Sequence, residues 1–252
     1  MTMLQPLLSH QFAATIWRME IDELTDTLVL EVRNETEKQV SFASVSLTTG
    51  QLNFEGFTTD ERWLAGVDAL YNNVALLHYY KHENGPEHKG ITAIDAGTSA
   101  PVWNNYSLAL SHLSINGPIV YNTALQPKKL VLIDAQTGQT LRNASPEDKP
   151  LANSIVIPSL LPASDFVEGS LPEAPFGNIV HSLNHNGYRI VSLHTLKNGG
   201  LQQRIYILDG ETIRYTDLLN EDIQKLQPEA FVIHKNALVY VKNRTNIIVL
   251  AL

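Results

Sequence analysis

The stretch LVLIDAQTGQT, residues 130–140, contains the pattern that decides the fold. Its first four residues are apolar and include β-branched side chains, which favours a β-strand. The strand ends at Asp134, and the pair Thr137–Gly138 is typical of a tight turn. A second short strand is expected after the turn, so this stretch by itself predicts a β-hairpin.

The same pattern recurs along the chain. Comparable stretches are FASVSLTTGQLNF (42–54), GITAIDAGTSAPVW (90–103) and RIYILDGETIRY (204–215), and the last strand is NIIVLAL (246–252). The aligned apolar residues lie 47, 39, 75 and 42 residues apart; they are Leu47, Ile94, Ile133, Leu208 and Leu250. Three of these intervals approach the roughly 40–45 residues of a four-stranded propeller blade. We therefore predict an all-β fold, a β-propeller.

Each repeat continues backwards into another hairpin. The pairs Asn116–Gly117 and Asn186–Gly187, and Asn236, separate further apolar strands. Asn-Gly favours a type I′ turn because both of its central residues take positive φ. Four strands per repeat predict five blades, with a sixth, degenerate blade around SIVIPSLL as the alternative. Short helices are expected only near residues 61–65 and 220–226.

The two ends of the chain are expected to share one blade. The last repeat lacks a fourth strand, and the N-terminal ATIWRMEID carries Trp17 where a fourth strand would carry an aromatic residue, as at Trp103. Pairing of the strand around Trp17 with the strand around Ile248 would remove two open sheet edges. The sequence thus predicts a single domain, residues 1–252, closed by its N- and C-terminal strands.

The 75-residue interval holds a Pro-rich insertion, residues 145–177, with six of the 12 prolines. Proline cannot donate a ladder hydrogen bond, so it is poor material for inner strands. We expect the insertion to lie outside the sheets and to fold across one face of the propeller. Its apolar anchors would be Leu160, Leu161, Phe166 and Phe176.

The composition of the chain argues against several classes of partner and chemistry. The net charge of −8, without a cluster of lysine and arginine, argues against nucleic acid as a partner. There is no cysteine, which excludes disulfides and thiolate chemistry. The start of the chain lacks the basic residues of a secretory signal, and no run of apolar residues is long enough for a membrane span. We expect a cytoplasmic monomer that does not bind membranes.

The turn pattern around Asp134–Gly138 resembles the blades of quinoprotein-type, PQQ-like propellers, and more distantly those of WD-repeat propellers. Asp95–Thr98 is a shortened copy, and the copy at Leu47–Gly50 lacks the aspartate. Such motifs stabilise blades and do not bind the quinone. Quinone dehydrogenases of this type are larger, exported and carry a vicinal disulfide, so the resemblance implies neither cofactor nor activity. As a whole the chain resembles an uncharacterised bacterial propeller family of unknown function.

Candidate site residues follow from the turns. With the five hairpin turns set as equivalent, one face of the innermost strands would line a central channel. The polar residues predicted to bind there are Asp22, Asp68, His112, Asn184 and His234. Two carboxylates and two histidines could bind a cation or perform acid–base chemistry. The alternative, which we favour, is a water-filled channel lined by polar residues that neither bind a cation nor catalyse a reaction.

No complete catalytic motif is found: the G-x-S-x-G, phosphate-loop and H-E-x-x-H patterns are missing. HENGPEH (82–88) resembles the H-E-x-x-H pattern, but Gly85 and Pro86 exclude the helix that would place both histidines on one face. Its residues His82, Glu83, Glu87 and His88 could bind a metal ion, although a solvated loop is favoured. No cofactor is expected.

The sequence favours a non-enzymatic binding or scaffold protein that uses a propeller face. The alternative is an enzyme acting on a small molecule or glycan at the channel mouth.

Overall fold

The computed structural model describes residues 3–83, 85–165 and 171–252. Within them, 22 β-strands and one short 3-10 helix, Ala163–Asp165, form the fold. The first thirteen strands are β1 Leu8–Gln11, β2 Thr15–Asp22, β3 Thr27–Asn34, β4 Gln39–Ser46, β5 Leu52–Phe57, β6 Ala65–Tyr71, β7 Val74–Tyr80, β8 His88–Asp95, β9 Pro101–Asn105, β10 Leu108–Ser114, β11 Gly117–Asn122, β12 Leu130–Ile133 and β13 Thr140–Asn143. The others are β14 Ile155–Val156, β15 Ser159–Pro162, β16 Ile179–His185, β17 Tyr188–Lys197, β18 Gly200–Asp209, β19 Thr212–Ile223, β20 Val232–His234, β21 Ala237–Lys242 and β22 Asn246–Ala251.

The strands divide between two compact units. Residues 14–153 form three antiparallel sheets of four consecutive strands each, β2–β5, β6–β9 and β10–β13. Residues 1–13 and 154–252 form two further sheets, in the orders β15-β16-β17-β18-β19 and β1-β22-β21-β20-β14. The prediction of an all-β propeller fold with five blades is therefore confirmed, each blade being one up-and-down antiparallel sheet. None of the described helices is long and apolar enough to cross a membrane.

The repeat positions mark the same place in every blade. Each is at most 3% exposed and lies in or directly after the third of four strands, when β14 and β15 are set aside as additional edge strands and β1 is taken as the fourth strand after β22: Leu47, Ile94, Ile133, Leu208 and Leu250. The aspartate after this position organises the turn where it is present. The Asp134 carboxylate accepts hydrogen bonds from the N–H groups of Gln136 and Thr137 at 2.9 and 2.8 Å. The repeated motif thus fixes the turn between the third and fourth strands.

The predicted hairpins between the first two strands of the blades are formed, but the Asn116–Gly117 turn is not of type I′, because Gly117 has a φ of 137° and Asn116 has no positive φ. At the turn of Asn236 the positive φ, 51°, belongs to Lys235. The type I′ prediction is confirmed at one of the two Asn-Gly pairs. Asn186 and Gly187 have φ angles of 49° and 81°, as a type I′ turn requires. Asn72 and Asn73, at the corresponding turn of another blade, have φ angles of 49° and 67°. The predicted helices are not formed, since residues 220–223 extend β19 and residues 61–64 are bends.

The N-terminal closing strand is a different segment from the one predicted. A strand from the N-terminus does pair with the last strand, but it is β1, with Leu8 opposite Val249 and Ser9 opposite Ile248. Trp17 instead lies in β2, the first strand of the next blade, and its side chain is 61% exposed. The weakly apolar sequence of β1 explains the error, because every second residue of β1 is exposed and nothing aromatic marks the strand.

The Pro-rich insertion takes part in the sheets, contrary to the prediction that it lies outside them. Its strand β14 pairs with β20, and its strand β15 pairs with β16. Both strands are short. Pro158 lies between the two strands and Pro162 is the last residue of β15, and proline is compatible with such positions in edge strands. Leu160 and Phe176 are 58% and 44% exposed, so neither is a buried anchor. Phe166 lies outside the described residues.

Candidate functional site

One cluster of metal-ligating side chains is formed by three adjacent strands of the blade β6–β9. Asp68 on β6, His78 on β7 and His88 on β8 each offer one ligand atom, and these atoms lie within 4.8 Å of one another. The Nδ1 atoms of both histidines lie 3.2 Å from Oδ1 of Asp68. We call these three residues the Asp-His-His cluster.

Two β-bulges bring the three side chains together. Asp68 is the extra residue between the pairs Val67–Leu77 and Ala69–Leu76, so it opposes no residue of β7. On the other side of β7 the register shifts between His78 and Tyr79, at Gly90, whose φ is 72°. A bulge turns a side chain away from the simple alternation of a strand. The bulges explain how residues from three strands meet at one point.

The two imidazoles are stacked on one another. The ring centroids of His78 and His88 are 3.6 Å apart, and the planes differ by 6°. The ring of Tyr80 meets both of them edge-on, at 4.6 and 5.2 Å. Tyr80 is directly opposite His88 in the β7–β8 ladder and lies two residues after His78. Cross-strand packing therefore holds the imidazoles side by side before any ligand binds.

The cluster is buried and holds polar atoms without partners. The side chain of His78 is 0% exposed and that of Asp68 is 9% exposed, whereas that of His88 is 25% exposed. Oδ2 of Asp68 and both ring nitrogens of His78 have no hydrogen-bond partner within the described part of the chain. Buried polar atoms of this kind are rare and call for an explanation such as an ion.

Gly66 leaves the space that the buried imidazole needs. A Cβ atom at this position would lie 2.8 Å from Cε1 of His78 and 2.9 Å from Oε2 of Glu31. Both distances are shorter than ordinary van der Waals contact, so any side chain at residue 66 would displace one of the two groups. The glycine is thus required by the close approach of His78 and Glu31 to the backbone.

The electrostatic environment keeps Asp68 ionised. Burial acts to raise the pKa of Asp68, but the polar contacts with His78 and His88 outweigh it and lower the pKa to about 2. The carboxylate therefore carries its charge at neutral pH. A buried carboxylate whose Oδ1 lies 3.2 Å from a nitrogen of each imidazole is available as an oxygen ligand or as an orienting group for them.

Further charges surround the cluster in the same unit. Glu31 is 1% exposed; its Oε1 lies 2.6 Å from Nε of Arg33, and its Oε2 accepts from the N–H of Val67 at 3.0 Å. Arg18 and Glu20 form a second pair on β2, at 2.8 Å. Burial is the main cause that raises the pKa of Glu20. The acidic groups near the cluster are thus each tied to an arginine or to the backbone.

The five residues predicted to line a channel lie in different surroundings. Asp22 is buried in the β2–β3 turn, where it accepts from Thr25 Oγ1 at 2.8 Å, and Asp68 belongs to the Asp-His-His cluster. His112 is half-buried beside Ser111, Asn184 is exposed, and His234 is buried next to Ser154, whose Oγ lies 3.2 Å from Nδ1. The gathering of these residues around one axis stays a prediction.

His112 also borders an open cleft in the blade β10–β13. The cleft has a volume of about 520 Å³, and Lys128, Lys129 and Asp148 are among its lining residues. Asp148 is held there by Arg142, with two contacts of 2.6 Å. The Arg142 guanidinium is the main cause that holds the pKa of Asp148 well below its usual range. The lysines give this cleft a positive side.

Asp68 and His88 are among the site residues predicted from the sequence, whereas His78 is not. His88 was one of the four residues of the predicted loop metal site, but Glu87 pairs with Lys81 at 3.1 Å, and His82 and Glu83 are exposed. His78 was missed. The signal that could have found it is a single histidine inside the apolar strand VALLHYY, ten residues before His88.

Comparison with known proteins adds a family match over part of the chain. Residues 21–103 match the model of a family described as a domain of unknown function, DUF4905. This segment is about a third of the chain and includes all of the Asp-His-His cluster. No curated protein matches the sequence.

Solved structures give distant likenesses. The β-propeller domain of the Trilobed protease from Pyrococcus furiosus has a TM-score of 0.34 and 10% identity, covering 94% of this chain and 65% of that one. A europium-containing methanol dehydrogenase has a TM-score of 0.32 and 11% identity, covering 96% of this chain and 52% of that one. The chain thus spans less than two thirds of either protein. At such scores these likenesses carry no argument about function.

Proposed function

We propose that the protein is a non-enzymatic binding protein that docks a partner protein along the strands of its Pro-rich insertion. The observation that carries the proposal is a row of exposed apolar side chains on β14, β15 and the link between them. These residues, which we call the apolar strip, are Ile155, Val156, Ile157, Leu160 and Leu161. Their exposed fractions run from 36% to 69%.

The apolar strip lies on the outermost strands of two sheets. Each of β14 and β15 pairs with one neighbour, β20 and β16 respectively, and is the last described strand on that side of its sheet. Every residue of both strands is exposed, including those whose side chains alternate to opposite faces. Native proteins usually blunt such edges with charge, and exposed apolar groups at an edge mark interaction sites.

The chemistry of the strip favours a partner that offers an extended, apolar segment. Such a segment can add to a sheet edge through main-chain hydrogen bonds, while alternate side chains supply apolar contacts. Enzymatic use of the neighbouring Ser154–His234 pair is disfavoured, because His234 is 1% exposed and offers a substrate no access. The cytoplasm is the compartment we propose for this binding.

The test compares two leucines of equal exposure. Leu160 on the strip and Leu141 on β13 are 58% and 57% exposed, so Leu160→Asp and Leu141→Asp introduce the same change at matched surface sites. The full-length chain, with a photoreactive residue at position 157, is incubated in lysate from its source. We expect one cross-linked partner whose capture falls at least about tenfold with Leu160→Asp and is unchanged with Leu141→Asp.

Three results would contradict the proposal. Equal capture by both variants would show that the strip does not bind the partner. A dimer of this chain that Leu160→Asp dissociates would show that a second copy covers the strip. Turnover in a broad hydrolase screen that survives purification would overturn the non-enzymatic part.

A further inference from the structure

We infer that the Asp-His-His cluster is a binding site for a divalent first-row transition-metal ion such as Zn²⁺. The cluster shares no residue with the apolar strip, since it lies in the unit of residues 14–153 and the strip lies in the unit that includes residues 154–252. Two imidazoles and one carboxylate are a common protein ligand set for such ions, and they leave a coordination position for water.

The spacing of the ligand atoms fits a tetrahedral ion. Zn²⁺ holds nitrogen and oxygen ligands at about 2.0–2.2 Å, which separates neighbouring ligand atoms of a tetrahedron by roughly 3.3–3.6 Å. In the cluster, Oδ1 of Asp68 is 3.2 Å from Nδ1 of His78 and 3.2 Å from Nδ1 of His88. Two edges of the ligand triangle are therefore close to the size the ion needs, and the third is within 4.8 Å.

The buried atoms without partners are the second, independent observation. Asp68 and His78 are more than nine-tenths buried, yet Oδ2 of the one and both ring nitrogens of the other, including the ligand atom Nδ1, have no hydrogen-bond partner among the described residues. Each such group lowers the stability of the folded chain when it is left unsatisfied. A cation that draws the Asp68 carboxylate into coordination lowers this cost, and it neutralises a charge that is otherwise buried.

Binding requires one movement, and the structure shows which residue can make it. The lone pair of an imidazole nitrogen lies in the plane of its ring. Two parallel rings 3.6 Å apart therefore cannot both direct a lone pair at the same ion, so the stacked rings must tilt apart. His78 is enclosed in the middle of β7, whereas His88 is 25% exposed at the first position of β8, directly after the loop 81–87. His88 is the residue that tilts.

The ion ties three strands of one blade together. Asp68, His78 and His88 come from β6, β7 and β8, so bound metal adds a link across two ladders that are interrupted by bulges. A ligand that binds only the folded chain stabilises it by mass action. Metal binding should therefore raise the melting temperature of the chain.

The test uses the full chain after treatment with a chelator. Zn²⁺ is titrated by calorimetry, and the melting temperature is measured with and without Zn²⁺. We expect one ion per chain and a higher melting temperature in its presence. His88→Gln should weaken binding at least about tenfold, in line with the loss of a ligand or its support. The matched control is His82→Gln, an exposed histidine of the adjacent loop, which should bind as the unaltered chain does.

A readout on the unaltered chain covers the case in which His88→Gln does not fold. Co²⁺ bound by two imidazoles and a carboxylate in a four-coordinate site absorbs strongly in the visible range, whereas six-coordinate surface Co²⁺ absorbs weakly. The strong bands support the site. Weak bands only, absence of Zn²⁺ binding, or binding that His88→Gln leaves unchanged would each overturn it. In those cases the cluster is a pair of stacked imidazoles that pack beside Asp68 and bind no metal ion.

Discussion

The carboxylate of Asp22 accepts a hydrogen bond of 2.6 Å from the backbone N–H of Asn73, which belongs to the hairpin turn of the neighbouring blade. The same side chain also accepts from the N–H of Leu24 at 3.0 Å and from Oγ1 of Thr25 at 2.8 Å. Asp22 is 0% exposed. One buried aspartate thus fixes its own turn and joins it to the turn of the next blade.

Replacement of this aspartate tests the link between the two blades. Asp22→Ala removes three hydrogen bonds to a charged acceptor, including the one from the N–H of the half-buried Asn73. Hydrogen bonds to charged groups contribute about 1.5–3 kcal/mol each in favourable cases, and their losses are not additive. We expect the free energy of unfolding to fall by roughly 3 kcal/mol, measured by urea denaturation.

The control for this change is Glu35→Ala, an exposed acidic residue in the β3–β4 turn of the same blade. It removes the same charge and should change stability by less than about 0.5 kcal/mol. Equal losses in the two variants would mean that the long-range charge, rather than the hydrogen bonds of Asp22, stabilises the fold.

His194 predicts a dependence of stability on pH. It is 2% exposed, and burial, followed by the charge of His181, lowers its pKa from 6.5 to about 4. Its Nε2 accepts from the N–H of Gln227 at 2.9 Å, which requires the neutral ring. The unfolded chain binds a proton near pH 6.5 and the folded chain does not, so stability is fully present above pH 6.5 and is lost as the pH falls towards 4.

The measurement is a series of urea unfolding curves between pH 7 and pH 4.5. At about 1.4 kcal/mol per pKa unit, the contribution of His194 is on the order of 3 kcal/mol over the whole window. His194→Gln cannot titrate, and its amide oxygen can still accept from Gln227, so its stability should fall less over this range. Parallel curves for the two proteins would contradict the assignment.

The features that the sequence predicts well are those fixed by local rules. Positive φ at Asn186 and Gly187 and the buried repeat residues Ile94 and Ile133 follow from turn chemistry and from the spacing of apolar residues. The Asp-His-His cluster does not follow from them, because alternation along β6 assigns Asp68 to a face, whereas the bulge at this residue sets its direction. Bulges depend on both partner strands, and a single strand pattern does not contain them.

The N-terminus shows the same limit. The aromatic character of Trp17 suggested a closing strand, but the buried aromatic residue beside the closure is Phe12. It directly follows β1, is 3% exposed and donates its N–H to the carbonyl of Thr245. β1 itself alternates exposed and half-buried residues, a pattern too weak to identify in a four-residue strand. Burial, which the sequence does not show directly, distinguishes the two aromatic residues.

The last prediction uses this pair of aromatic residues to test the closure. Phe12→Ala removes a buried ring directly after β1, and such a loss costs about 3–5 kcal/mol in protein cores. Trp17→Ala removes a larger ring that is 61% exposed, and it should cost less than about 1 kcal/mol.

Thermal and urea unfolding of the two variants compare their stabilities, and hydrogen exchange shows which strands are affected. If β1 closes the blade, Phe12→Ala will speed exchange at the β22 amides that face β1, whereas Trp17→Ala will not. A larger loss of stability with Trp17→Ala than with Phe12→Ala would restore the strand around Trp17 as the closing strand, and the pairing of Leu8 with Val249 would then be wrong.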